Sequence, residues 1–154
     1  MDRAPSELEM ELRPARADDV PAILALWRAS KLFPSTTDDA ESVRGLIARD
    51  AEALLVAEIG GEIVGSICGT WDGWRGNFYR LAVHPGHRRK GIALKLVARA
   101  ERRIVALGGR RISSIVVDGD EHAVAFWRAA GYERDDRVSR FVRVDSHGCI
   151  RSSR

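Results

Sequence analysis

A strand that runs into a basic, glycine-containing turn and then a long amphipathic helix constrains this chain more than any other feature. Residues 77–83 (Asn77, Phe78, Tyr79, Arg80, Leu81, Ala82, Val83) read as strand, and the pattern stops at Pro85. Arg88, Arg89 and Lys90 lead to Gly91. Beyond it, Ile92, Ala93, Leu96, Val97, Ala100, Ile104 and Leu107 fall on one helical face, with Lys95, Arg99, Arg102 and Arg103 on the other. Gly108 and Gly109 stop this helix, and the β-branched run 112–117 predicts the next strand. A helical crossover between two strands of one sheet makes them parallel. The turn also carries chemistry. A helix N-terminus offers unpaired main-chain N–H groups and the positive end of the helix dipole, which suits phosphate, and the three cations reinforce that field.

The flanking chain fills in a sheet and its helices. Residues 9–13 alternate apolar and charged as a short strand. Asp18 and Asp19 then precede a helix carrying Ile23, Leu24, Leu26 and Trp27. A second helix is predicted over 38–50, with Val43, Leu46 and Ile47 as its apolar side. Two apolar runs, 53–59 and 62–71, flank Gly60-Gly61 and predict a hairpin. Asp120 starts a helix that ends before Gly131, and a final strand pair is expected at 132–133 and 138–144. The class is α/β: a central mixed, mostly antiparallel sheet with one parallel pair, flanked by helices. A single domain is expected over 1–145, followed by a polar tail at 146–154.

Composition excludes more than it identifies. Lys and Arg total 25 against 22 Asp and Glu, and a net charge of +3 is too small to indicate nucleic acid. The four cations of the long helix read as its solvated face. Cys68 and Cys149 lie far apart without metal-ligand spacing, so no metal site is expected and a reduced, cytoplasmic setting is. No apolar run approaches a membrane span, and the start carries no signal region.

The turn belongs to a recognisable pattern. Arg88-Arg89-Lys90-Gly91-Ile92-Ala93 resembles the Arg/Gln-x-x-Gly-x-Gly/Ala signature of the GCN5-related N-acetyltransferases, the GNAT superfamily. Leu81-Ala82-Val83-His84-Pro85 is similar to the strand that precedes it there. The stretch from Ala123 through Phe126 and Trp127 to Gly131-Tyr132 resembles the family's later helix with its Gly-aromatic ending. The run from Trp71 to Gly76 is similar to a bacterial subgroup of YpeA-type acetyltransferases.

The resemblance implies a GNAT-like fold and acetyl transfer from acetyl-CoA, as cosubstrate, to a primary amine by direct attack in a ternary complex. The acceptor is an amine on a small molecule, a peptide N-terminus or a lysine. It implies that main-chain amides of Arg88, Arg89, Lys90, Gly91, Ile92, Ala93 and Leu94 take the pyrophosphate, and that Leu81, Ala82 and Val83 hold the pantetheine arm. Asp120 and Trp127 fall at further cofactor positions. The strands 77–83 and 112–117 splay apart to admit the cofactor. No metal, nucleic acid or membrane partner is implied, and the chain is a monomer or homodimer.

Catalysis is where the resemblance and the residues part. The Val83 amide is the candidate for stabilising the tetrahedral oxyanion. Many relatives use a tyrosine at the place of Trp127 as general acid, and an indole N–H cannot serve that way. Coenzyme A is a thiol acidic enough to leave unaided. Tyr79, Tyr132 and His122 are substitute acids, with Tyr79 sharing strand parity with Leu81 and Val83 as either core or site lining. Glu58, Asp72, His84 and His122 are candidate bases. Relatives often carry an acidic residue near the position of Arg80, where this chain has a cation. Trp71, Trp74 and Arg75 form either a packed hairpin tip or a wall for the acceptor. The rival reading is a CoA-binding module with little catalysis, motivated by Trp127.

Overall fold

Turn chemistry sets the order of the sheet. The computed structural model describes residues 9–145, and the tail expected at 146–154 lies outside them. Gly60 and Gly61, at φ 58° and 81°, close the hairpin between β2 (Leu54–Ile59) and β3 (Glu62–Trp71). Asp72 accepts from the main-chain N–H groups of Trp74 and Arg75 at 2.8 and 2.6 Å, turning β3 into β4 (Gly76–Val83). β1 (Met10–Pro14) pairs antiparallel with β2 on the outside. The chain then crosses from β4 through α3 (Ile92–Ala106) to β5 (Ile112–Ser114), which pairs parallel with β4. The result is a five-stranded sheet ordered β1-β2-β3-β4-β5, mixed and mostly antiparallel as the sequence predicts.

Each face of the sheet has its own apolar cluster. On one, α3 and Trp127 of α4 (Glu121–Ala129) pack on Leu55, Ala57, Val64, Ile67 and Phe78. Small residues let α3 approach closely: a Cβ on Gly76 would stand 2.7 Å from Ile104 Cγ2, and one on Gly65 2.9 Å from Ile92 Cγ2. On the other face, α1 (Val20–Ala29) and α2 (Ala40–Arg49) cover Leu54, Val56, Cys68 and Ala82. Asp39 caps α2 by accepting from Ser42 N–H at 2.7 Å. Asp19, read as a helix-start signal, turns its carboxylate back to Arg16 N–H and to Arg13.

Two expectations are corrected. The strand predicted over 112–117 keeps its pairing only to Ser114, although Val116 still packs against the core. The final strand pair at 132–133 and 138–144 is absent: the described residues 132–145 contain no strand, and Val138, Phe141, Val142 and Val144 are exposed. Alternating side chains make a strand only beside a ladder of main-chain partners, and β5 ends too early to supply one.

Candidate active site

β4 is paired along most of its β3 edge, whereas its contact with β5 runs only from Gly76–Ile112 to Phe78–Ser114. Past Phe78 the parallel pairing stops and β5 ends, within the stretch where the resemblance implies the splay. His84 N–H donates to Val64 O at 2.8 Å, so the ladder with β3 uses His84 and, two residues earlier, Ala82 opposite Ser66. Antiparallel alternation then turns the N–H of Val83 the other way, toward the gap that β5 leaves.

Beyond Val83 the chain tightens into a turn of main-chain donors. Pro85–His87 forms one turn of 3₁₀ helix, held by His87 N–H donating to His84 O at 2.8 Å. Arg89 and Gly91 both adopt left-handed φ values, 64° and 74°, on either side of Lys90. Such alternation gathers successive N–H groups into an anion-binding concavity. Gly91 is the N-cap of α3, and Lys95 N–H is the first donor to reach back, to Gly91 O at 3.2 Å. Among the described residues, no main-chain N–H from Arg88 through Leu94 donates to a protein acceptor. No carboxylate pairs with Arg88, Arg89 or Lys90 among those residues either, and all three side chains are exposed. A Cβ on Gly91 would meet nothing within 4 Å, so the space before this helix end is open.

The side chains weighed for acid–base work fare differently. His84 Nδ1 accepts from Gly86 N–H at 3.1 Å. In the neutral ring the proton therefore sits on Nε2, which makes His84 a donor at the mouth of the gap and ill-suited as a base there. Glu58 is tied to Arg13 at 2.7 Å on β2, two strands from β4. Asp72 is held by its own turn, whose N–H groups lower its carboxyl below the usual range. His122 is exposed in the first turn of α4. Tyr132 is half-buried and donates to Glu101 Oε1 at 2.7 Å; burial, followed by that bond, raises the phenol's pKa and keeps it protonated. Burial pushes the Cys68 thiol up to about 12, which leaves it inert as a nucleophile.

Tyr79 moves to the other face from the one its spacing suggests. The register between β3 and β4 shifts between Ser66 and Cys68, where Arg80 has φ 52°. This bulge inserts a residue, so Tyr79 lies opposite Cys68 on the α1 side, while Leu81 and Val83 pack toward α3. Tyr79 is 37% exposed. Trp127 is 7% exposed within an aromatic cluster, its ring centroid 4.8 Å from Tyr132 and 6.2 Å from Phe78. Asp120 caps α4 by accepting from Ala123 N–H at 3.0 Å. Trp71 packs against the α3 core, while Trp74 is 69% exposed with Arg75 stacked 3.9 Å over its ring. Strand rise puts that turn roughly 20 Å from Val83, which makes it a hairpin tip rather than a wall beside the gap.

Sequence reasoning missed the bulge and the polar contacts that hold it. Ser66 is fully buried, and its hydroxyl accepts from Trp27 Nε1 and donates to Arg80 O, both at 2.9 Å. A serine inside the apolar run 63–68 was the available signal.

A strand that loses its parallel partner and ends in a helix-capping nest of free donors suits a phosphate-bearing arm laid along a sheet edge. The comparisons agree with that reading. A family model described as the acetyltransferase (GNAT) family matches residues 20–132. An acetyltransferase of Pectobacterium atrosepticum is 35% identical over 130 residues, covering 84% of this chain and 92% of that one. The fold is shared with the PaiA N-acetyltransferase of Thermoplasma acidophilum in complex with coenzyme A (TM-score 0.76, 17% identity, 84% of this chain and 92% of that one). It is shared also with an aminoglycoside N-acetyltransferase in complex with CoA (TM-score 0.72, 20% identity, 92% and 99%). The chain belongs to the acetyltransferase (GNAT) family. Within that family it stands as an acyl-CoA-dependent N-acetyltransferase.

Proposed function

We propose that this chain moves the acetyl group of acetyl-CoA to a primary amine by direct attack in a ternary complex. The observation that carries the reading is the run of N–H groups from Arg88 through Leu94 without protein acceptors, placed at the end of a strand whose next edge is open. Those donors suit the pyrophosphate, with Arg88, Arg89 and Lys90 supplying positive field. Leu81, Ala82 and Val83 line the edge along which the pantetheine arm lies. The solved neighbours held with CoA support this choice of substrate.

The amine nitrogen, in its neutral form, attacks the thioester carbonyl carbon. Charge develops on the carbonyl oxygen, and the Val83 N–H is the preorganised donor for it. The C–N bond forms, the C–S bond breaks, and the sulfur leaves as thiolate. The amine proton passes to water, since Glu58 and Asp72 are engaged elsewhere, and the sulfur leaves without an acid because the Trp127 indole cannot supply one. His84 Nε2–H lies at the turn that follows Val83 and is a donor available to the departing side. Asp120 needs no ligand to explain it, because its carboxylate caps α4.

Following CoA thiol release from acetyl-CoA tests this, with a panel of a diamine, a polyamine, a free-N-terminus peptide and a lysine peptide. Amine-dependent release is expected for at least one class. Tight acetyl-CoA binding with no amine-dependent release across the panel would favour the CoA-binding module instead.

A further inference from the structure

Arg80 occupies a position that steric cost would give to glycine. Its φ is 52°, and the left-handed region costs a residue with a Cβ roughly 1–2 kcal/mol. The side chain gives a reason for the choice. Nη1 donates to Phe33 O at 2.8 Å and Nη2 pairs with Asp38 Oδ2 at 2.8 Å. The guanidinium lies 5.6 Å from the centre of the Trp27 ring. Arg80 O accepts from Ser66 Oγ, whose other partner is Trp27 Nε1. These contacts form a closed circuit through the end of α1, the middle of β3, the bulge of β4 and the segment 30–39 that joins α1 to α2. The segment also starts against the same strand, with Ser30 Oγ 3.4 Å from Val83 O.

We propose that Arg80 is a positioning residue for the transfer. It straps the 30–39 segment onto the bulge of β4, fixing that segment beside the strand residues to which the acetyl group is delivered. The proposal rests on the acetyl-transfer reading above. A forked guanidinium suits the task because it holds a carbonyl and a carboxylate at once, which an ammonium does less well. The donor turn from Arg88 through Leu94 makes no contact with the strap, so loss of the strap acts on the amine-dependent step and spares cofactor binding.

Arg80→Gly tests this cleanly, because glycine accepts the backbone geometry and removes only the fork. Asp38→Ala cuts the same contact from the loop side, and Arg80→Lys is the conservative rescue. In the free chain, amides of 31–38 should exchange about 10-fold faster in Arg80→Gly. With the amine that wild type acetylates fastest from the panel, kcat/KM should fall about 10-fold, while acetyl-CoA affinity stays within about twofold. Arg80→Lys should recover part of the loss. Unchanged exchange together with unchanged amine kcat/KM would overturn the proposal. So would a fall in acetyl-CoA affinity as large as the fall in kcat/KM. A wild-type chain that does not bind acetyl-CoA contradicts the functional reading alone, because the exchange arm uses no ligand and still decides whether the strap exists.

Discussion

The two edges of β4 are built from the same strand and do opposite things. Toward β3, main-chain groups pair from Gly76–Trp71 to Val83–Gly65, with one bulge. Toward β5 the pairing stops at Phe78–Ser114. The paired stretch is also where α3 packs closest on the sheet face: a Cβ on Gly76 or Gly65 would press within 3.0 Å of an isoleucine side chain of that helix. The open edge and the turn beyond it are left with main-chain donors that the protein does not use. Buried donors without partners are costly, so a fold tolerates them only where water or a ligand reaches them. On the proposed reading, the contrast teaches that binding capacity comes first from withheld secondary structure, with the cations of the turn adding field.

The largest effect is expected on the open side. Gly91→Glu places a carboxylate and a Cβ at φ 74°, before the donors of the turn. Acetyl-CoA affinity should fall at least about 100-fold, equivalent to about 2.7 kcal/mol, measured by calorimetry on a variant shown to be folded. At the end of β4 that is paired on both edges, Gly76→Ala forces a Cβ against Ile104 Cγ2 at 2.7 Å. Urea unfolding should show a loss of about 1–3 kcal/mol, while acetyl-CoA affinity changes less than about twofold. A variant that lost binding and stability together would erase the distinction between the edges.

The outer strand β1 supplies a control remote from both edges. Arg13 is nearly buried and holds Asp19 through two bonds of 2.7 and 3.0 Å. The Arg13 guanidinium, before any other cause, keeps the Asp19 carboxyl below the usual carboxylate range. Its contribution is therefore present above that range and is lost as pH falls through the depressed folded value. Asp19→Asn should cost about 1–2 kcal/mol at neutral pH. The gap from wild type should shrink on acidification below about pH 4. Cofactor affinity should be unchanged. The smallest effect is expected for Trp127→Tyr. The indole is packed among Phe78, Phe126 and Tyr132, and turnover should stay within about twofold of wild type if leaving-group protonation does not limit it.

What the sequence disclosed follows the same division. The turn at Arg88-Arg89-Lys90-Gly91 was legible because main-chain chemistry at a helix start depends on local residues: a strand end, a glycine and a cation run. The parallel crossover and the hairpin at Gly60-Gly61 were legible for the same reason. The bulge at Arg80 was not, because nothing in a single strand shows where its neighbour's register slips, and the slip moved Tyr79 to the opposite face. The circuit of Trp27, Ser66, Arg80 and Asp38 joins residues far apart in sequence, so only the fold brings them together. The strands expected at 138–144 failed because alternation describes a surface and says nothing about whether a partner edge is present.

A crystal structure with acetyl-CoA bound tests the central claim most directly. The account predicts the pyrophosphate within hydrogen-bond distance of main-chain N–H groups between Arg88 and Leu94, and the thioester oxygen facing the N–H of Val83. A cofactor seated elsewhere, with that turn still empty, would contradict it.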